Sequence, residues 1–281
     1  MKWVIQTNIW AEEGFEHLLA ALDRLGLERC LVKVVPFEGR LEPVEGELPG
    51  DGEDAIVMGS YTLAKVARDR GWRPGAFLDN LDYEVQREHW GTRMLNCDSW
   101  CGRLRDTAAW YLTSPRFVRP TLDTKSFCGE VMDGYTFSEW RDRIAALDAT
   151  HQPGDPEQLL TLDTRVMVAR PKVLHHETRC WVVDGRVVTA SGYKVGTIKR
   201  YSPPEAVDAR ITDFAQQCAT AWSPNKGYVI DICETPSLPF ANRDDADPQL
   251  RIVEAGCLNA AGWYKADLNK LVQALEEWSC R

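Results

Sequence analysis

Two acidic side chains stand inside runs that are otherwise apolar. Residues 228–234 read YVIDICE, with Asp231 in the middle, and residues 250–256 read LRIVEAG, carrying Glu254. If these segments are neighbouring antiparallel strands, a suitable register sets both carboxylates on one sheet face. Two carboxylates forced together without a counter-charge resist simultaneous ionisation. A hard divalent cation removes that conflict, and Mg2+ prefers oxygen ligands of this kind, often shared with phosphates. Asn259, five residues after Glu254, is the candidate third member of such a site. The competing reading is that each acid sits at a strand end and faces water or pairs with an arginine.

Candidate phosphate-binding cations lie elsewhere. Arg119 closes the run RFVRP, Lys125 lies in DTKSFCG, Arg170 and Lys172 flank Pro171, and Arg179 and Lys194 bracket a predicted hairpin. Arginine can grip a phosphate through two parallel hydrogen bonds, whereas lysine acts as a point charge. On the strands of one β-rich unit these groups can converge on a polyanion; singly, each also reads as an ordinary surface cation. Glu177 and Arg179 are two residues apart on a strand and point the same way, which suits an ion pair or a shared ligand. His175 and His176 face opposite sides of the same strand, so their adjacency argues against a single-ion site using both.

The elements that must position these groups fall into two blocks. Residues 2–9, 30–37 and 55–60 read as strands, and 13–27 and 61–71 as helices, with an acidic Pro/Gly-rich loop over 38–54. That order predicts an α/β layer with a small parallel sheet. Residues 73–80 read as a turn region and 80–110 as mostly helical. From about residue 110 the pattern turns to short strands, at 116–120, near 130 and at 164–171. The segment RCWVVDGRVVTASGY (179–193) is the clearest hairpin, its Asp184-Gly185 pair suited to a type I′ turn. A helix follows around 204–221. A final helix over 266–278 has Leu268, Leu271, Val272, Leu275 and Trp278 on one face and Asp267 as its N-cap. The predicted division is 1–109 and 110–281, with a subdivision near 170.

Composition restricts the functional classes. A 281-residue chain with 44% hydrophobic and 27% charged residues is an ordinary globular protein with a substantial core. Its formal charge, 33 − 42 = −9, argues against extended nucleic-acid binding and against an anionic membrane. An anionic ligand must therefore be held by a local basic cluster. No stretch approaches the roughly 20 apolar residues of a membrane span, and the first residues lack a signal-peptide core. Nine cysteines, scattered without a CxxC pair, read as reduced thiols, and the expected location is cytoplasmic.

The segments FVRPTLDTKSFCGE (117–130), VARPKVLHHETRCWVVDGRVVTASGY (168–193), YVIDICE and IVEAGCLNAAGWYKAD, in that order, resemble the ATP-grasp enzymes. The likeness is narrower to the R2K clade, which includes bacterial and phage members and the Cdc123 proteins. It spans roughly residues 110–270 and implies an ATP-grasp fold, α+β or α/β in class, preceded by an N-terminal α/β pre-ATP-grasp domain. It further implies that Arg119 and Lys125 contact ATP phosphates while Gly129 lets their loop close. Residues 169–173, including Arg170 and Lys172, would form the connection that reads adenine, and Glu177 would meet the ribose or the loop. Arg179 and Lys194 would serve the reacting phosphoryl group, and Asp231 and Glu254 would hold Mg2+. Many members carry Glu-x-Asn on the last metal strand; here Gly256 stands at the third position and Asn259 is the nearest amide.

The implied activity is ATP- and Mg2+-dependent joining of a carboxylate to an amine through an acyl phosphate. Small molecules, peptides or proteins would be the substrates. No protein nucleophile is needed, in keeping with the lack of a convincing Ser-His-Asp or Cys-His set. The alternative from the same resemblance is an ATP-binding assembly factor or interaction module without ligase activity. A nucleotidyl transferase fits less well, because Asp184-Gly185 lacks the lysine two residues ahead that a KxDG motif requires.

Overall fold

The structure, a computed structural model, describes residues 1–9, 12–35, 38–107, 114–122, 126–150, 160–236 and 249–279. Its N-terminal part is a five-stranded sheet of β1 (Lys2–Gln6), β2 (Arg29–Val34), β3 (Leu41–Glu45), β4 (Asp54–Met58) and β5 (Arg73–Gly75), ordered β3-β2-β1-β4-β5. Four of these strands run parallel, as the alternation of strands and helices predicts, and β3 is antiparallel at the edge. Helix α1 (Glu12–Arg24) joins β1 to β2, and α2 (Tyr61–Asp69) joins β4 to β5. The sharp exit from β4 is made at Gly59, where a Cβ would fall 2.7 Å from a Leu63 methyl and 2.8 Å from Gln6. Ser60 then caps α2 by accepting the Leu63 N–H. Strand β3 lies within the expected 38–54 loop; four of its five residues are exposed, so it carries no apolar signature.

Helix α3 (Tyr83–Trp90), capped by Asp82, leads into a four-stranded antiparallel sheet. Its strands β6 (Trp100–Arg103), β7 (Arg116–Pro120), β8 (Glu130–Met132) and β9 (Arg165–Ala169) are ordered β6-β9-β7-β8, with α4 (Gly134–Asp148) beside them. Residues 80–110 are thus not mostly helical: β6 pairs with β9, so this sheet begins before residue 109.

The third sheet comprises β10 (His176–Val183), β11 (Arg186–Val195), β12 (Ile198–Ser202), β13 (Gly227–Glu234) and β14 (Leu250–Cys257), ordered β12-β11-β10-β13-β14. The β10–β11 turn has φ of 48° at Asp184 and 74° at Gly185, the left-handed pair the sequence predicts. Alternate residues of this sheet serve two cores. Cys180, Val182, Ile230 and Ile232 pack with helix α5 (Ala209–Ala221) and with Tyr83, Trp90 and Met94. Trp181, Val183 and Val229 pack instead with helix α6 (Leu268–Ser279) and with Trp3, Ile5, Ile56 and Met58 of the first sheet. Asp267 caps α6, accepting the Lys270 N–H at 3.2 Å.

Candidate functional site

The second of those faces carries the charged row. Arg179 on β10 lies opposite Asp231 on β13, and Asp231 lies opposite Glu254 on β14. Register partners share a face, so three charged side chains follow the line of Trp181 and Val229 one step along the strands. Two irregularities set this arrangement. Tyr193 is the extra residue at the shift between Glu177 and Thr178, and Val253 the extra one between Asp231 and Ile232. A bulge re-aims the side chains around it, and here it brings Tyr193 onto the row.

Arg179 donates through Nε and Nη2 to the two oxygens of Asp231, both at 2.8 Å. The Asp231 side chain is only 4% exposed, whereas that of Glu254 is 34% exposed. Glu254 pairs with Arg119 of β7, so the four-stranded and last sheets meet through this contact. Beside the row, Lys194 sits 2.7 Å from Glu177 Oε1, and the Tyr193 hydroxyl donates to Glu177 Oε2, also at 2.7 Å. The Tyr193 oxygen is 3.4 Å from Asp231 Oδ2. Tyr264 stacks on Tyr193 at 5.1 Å and on Tyr201 at 5.2 Å, and the Arg179 guanidinium lies 5.2 Å from its ring centre.

Burial is the largest influence on Asp231 and lifts its pKa above the usual value; Arg179 opposes this, and Glu254 and Glu177 add to it. Burial also works against the charge on Arg179, but the Asp231 carboxylate outweighs it and keeps the guanidinium charged. The Tyr193 phenol is pushed well up by burial and then by Asp231 and Glu177, so it remains a neutral donor.

The other expected site residues are placed as follows. Gly129 lies against β7, where a Cβ would meet the Phe117 ring at 2.8 Å and Arg119 Cβ at 3.3 Å. Arg170 is exposed in the connection between β9 and β10. Lys172, in the same connection, turns away from the row to Asp98 at 2.7 Å and Asn96 at 3.1 Å. Lys125 falls outside the described residues. Asn259 requires a correction. Its Oδ1 accepts the Phe77 N–H at 2.7 Å, and its Nδ2 donates to the Val57 carbonyl at 2.6 Å. The side chain is buried, with its amide spent on fastening β4 and the segment after β5 to the end of β14, so it is a clamp and not a partner of Glu254. Gly256, paired with Val229, instead leaves a small hollow of about 90 Å³ lined by Arg179, Glu254 and Tyr61, among others.

The sequence reading missed Tyr193 and Tyr264. Their one local signal was Tyr193 in SGYK, at the end of the hairpin beside Lys194; nothing in the sequence marks its bulge. His176 pairs with Glu234 at 2.6 Å, and among the described residues no cluster of three or more His, Cys, Asp or Glu side chains could hold a metal alone. The donor set suits Mg2+ in its common mode, one or two carboxylates completed by substrate phosphates and water.

Comparison with known proteins bears on the family and the fold. The model of the family described as "ATP-grasp domain, R2K clade family 3" matches residues 56–275. A search of curated proteins gives no significant match. Among solved structures, a D-alanine–D-alanine ligase from Bacillus anthracis complexed with ATP is similar at TM-score 0.58 and 11% identity, over 100% of this chain and 98% of that one. The D-cycloserine synthetase DcsG gives 0.61 and 13%, over 99% of each chain. The ATP-grasp ligase PsnB complexed with minimal precursor gives 0.53 and 11%, over 98% of each. At such identities the likeness is one of fold.

Proposed function

Because this chain belongs to the R2K clade of the ATP-grasp family, whose enzymes are ATP-dependent ligases, we propose that it joins a carboxylate to an amine through an acyl phosphate. The observation that carries this reading is the Arg179–Asp231–Glu254 row with Arg119 facing it from the neighbouring sheet. Asp231 and Glu254 would hold Mg2+, which would neutralise part of the charge of the triphosphate when bound. Arg119, Arg179 and Lys194 would take the phosphate oxygens, and Tyr193 and Tyr264 would keep the Arg179 guanidinium in place.

The chemistry then rests on positioning and electrostatics. A substrate carboxylate oxygen attacks the γ-phosphorus, the bond to the β-phosphate oxygen breaks, and ADP leaves. An amine nitrogen attacks the acyl carbon, the carbon–oxygen bond to phosphate breaks, and the nitrogen loses a proton. Arg179 and Lys194 balance the negative charge in the first step. Closure of the loop at Gly129 over the site would exclude water from the acyl phosphate. ADP release by purified protein, assayed across acid and amine pairs, tests the reading. Activity is expected in the wild type and lost in Asp231→Asn and Glu254→Gln, and full activity in both variants would sink the assignment.

Asn259 favours a second reading. With no amide at residue 256 and that of Asn259 engaged elsewhere, the metal set is lean, as in an ATP-binding assembly factor that ligates nothing. Calorimetry separates the two: tight Mg-ATP binding without turnover across the acid and amine pairs supports the factor.

A further inference from the structure

A concavity of about 540 Å³ lies between α2 and β5. That is the size of a small-molecule site. Its lining includes Tyr61, Lys65, Arg68, Trp72, Arg73 and Asp79. Tyr61 also lines the 90 Å³ hollow that holds Arg179 and Glu254. Both cavities therefore share Tyr61, which follows the carboxyl end of parallel strand β4, the usual ligand edge of such sheets. The larger one runs from there along α2 toward Arg73, opposite Asp54 at the amino end of β4.

The hollow is built from fixed parts. Trp72 is buried and its indole N–H donates to the Gly50 carbonyl at 3.0 Å. At Gly75, with φ of +65°, a Cβ would fall 2.9 Å from the Trp72 carbonyl oxygen. Three cations and one carboxylate around this space leave a local surplus of two positive charges in a chain whose formal charge is −9. Among the described residues Lys65 and Arg73 have no ion-pair partner, and Arg68 reaches only its neighbour Asp69, at 3.9 Å.

We propose that this basic hollow holds the far end of the acid substrate, and that the acid carries a second anionic group there, as a dicarboxylic acid or an acidic peptide does. The inference rests on the ligase reading: one carboxylate reaches the Arg179–Glu254 end while the other is received first by Lys65, one helical turn along α2 from Tyr61, with Arg68 and Arg73 adding positive charge beyond it. Exposed ion pairs are individually weak, so selectivity comes from the three cations acting together.

Calorimetric titration of the full chain in Mg-ATP tests this, with glutarate against butyrate and Glu-Glu against Ala-Ala at matched ionic strength. At least one anionic probe is expected to bind roughly tenfold more tightly than its neutral-ended counterpart, and Lys65→Gln/Arg68→Gln should abolish the preference. Both positions are exposed on α2, and a thermal melt checks that the variant folds. Equal affinity within both pairs, or a preference that survives the double substitution, would overturn the proposal. Mg-ATP binding and ADP release, measured on the same samples, report separately on the ligase reading. Failure there leaves the carboxylate titration to stand or fall by itself.

Discussion

Asp231→Asn and Glu254→Gln each remove one charge from adjacent positions of one row, yet the structure separates their consequences. Asp231 is 4% exposed and receives both hydrogen bonds of Arg179, itself 14% exposed. Removing one partner of a buried pair costs about 3–5 kcal/mol, because the remaining charge is stranded. The asparagine oxygen still accepts one of the two hydrogen bonds, which returns about 1 kcal/mol. A net loss of roughly 2–4 kcal/mol follows. For a chain of this size that lowers Tm by roughly 4–8 °C. Glu254, at 34% exposure, is well screened, and its pair with Arg119 is worth about 1 kcal/mol or less. Its substitution should move Tm by no more than about 2 °C. Both variants are expected to lose Mg-ATP affinity and ADP release. Scanning fluorimetry and an ADP assay on the same preparations read the two effects. Equal destabilisation by the two substitutions would refute the burial argument, and full ADP release by either would refute its place at the metal.

Asn259→Ala strands a buried N–H at Phe77 and a buried carbonyl at Val57; it should cost about 2–4 kcal/mol in thermal melts while Mg2+ affinity of the folded fraction holds. Tyr193→Phe removes the hydroxyl on Glu177 but keeps the ring beside Arg179, for about 1 kcal/mol. Tyr193→Ala also loses the stacked Tyr264 and the cation–π contact and should cost roughly twice that or more, read by the same melts. Alkylation of the native protein at pH 8, followed by mass spectrometry, should mark exposed Cys128 and spare buried Cys180 and Cys233. Burial pushes the Cys233 thiol up to about 12 from 9.0. The folded state thus keeps a proton that the unfolded chain releases near 9.0. This contribution to stability is complete below pH 9 and declines between 9 and 12; melts at pH 8 and 10 check the sign.

Features governed by local chemistry were legible in the sequence. Asp184-Gly185 announced the β10–β11 turn, the periodic leucines announced α6, and the isolated acids in YVIDICE and LRIVEAG are the two acids of the three-residue row. What needed non-local register was not legible. The Arg179–Asp231 pairing joins residues 52 positions apart, and bulges at Tyr193 and Val253 shift the alternation on which a sequence reading depends. Edge strands β3 and β12 were lost because exposed strands carry no apolar period. Asn259 was misread for a related reason. An amide shortly after a strand acid looks like a ligand in one dimension, while the fold carries it beneath β4, where two backbone groups need a partner.

The pairing of each acid with an arginine reconciles the two readings that the sequence left open, arginine partner or metal ligand. A buried carboxylate awaiting a cation would be costly in the protein before nucleotide binds. Arg179 offsets part of that cost at Asp231, and Arg119 occupies the more exposed Glu254. If the proposed function holds, Mg-ATP binding would let the same four groups exchange partners, the carboxylate oxygens turning to the metal and the guanidinium groups to the phosphates. On the proposed reading each of these charges would keep an opposite partner in both states, so the chain would fold without the nucleotide and still present a site for it. The exchange requires the guanidinium groups to find new acceptors together. For that reason phosphate and metal are expected to favour each other's binding, since either one alone would meet a row half composed of like charge.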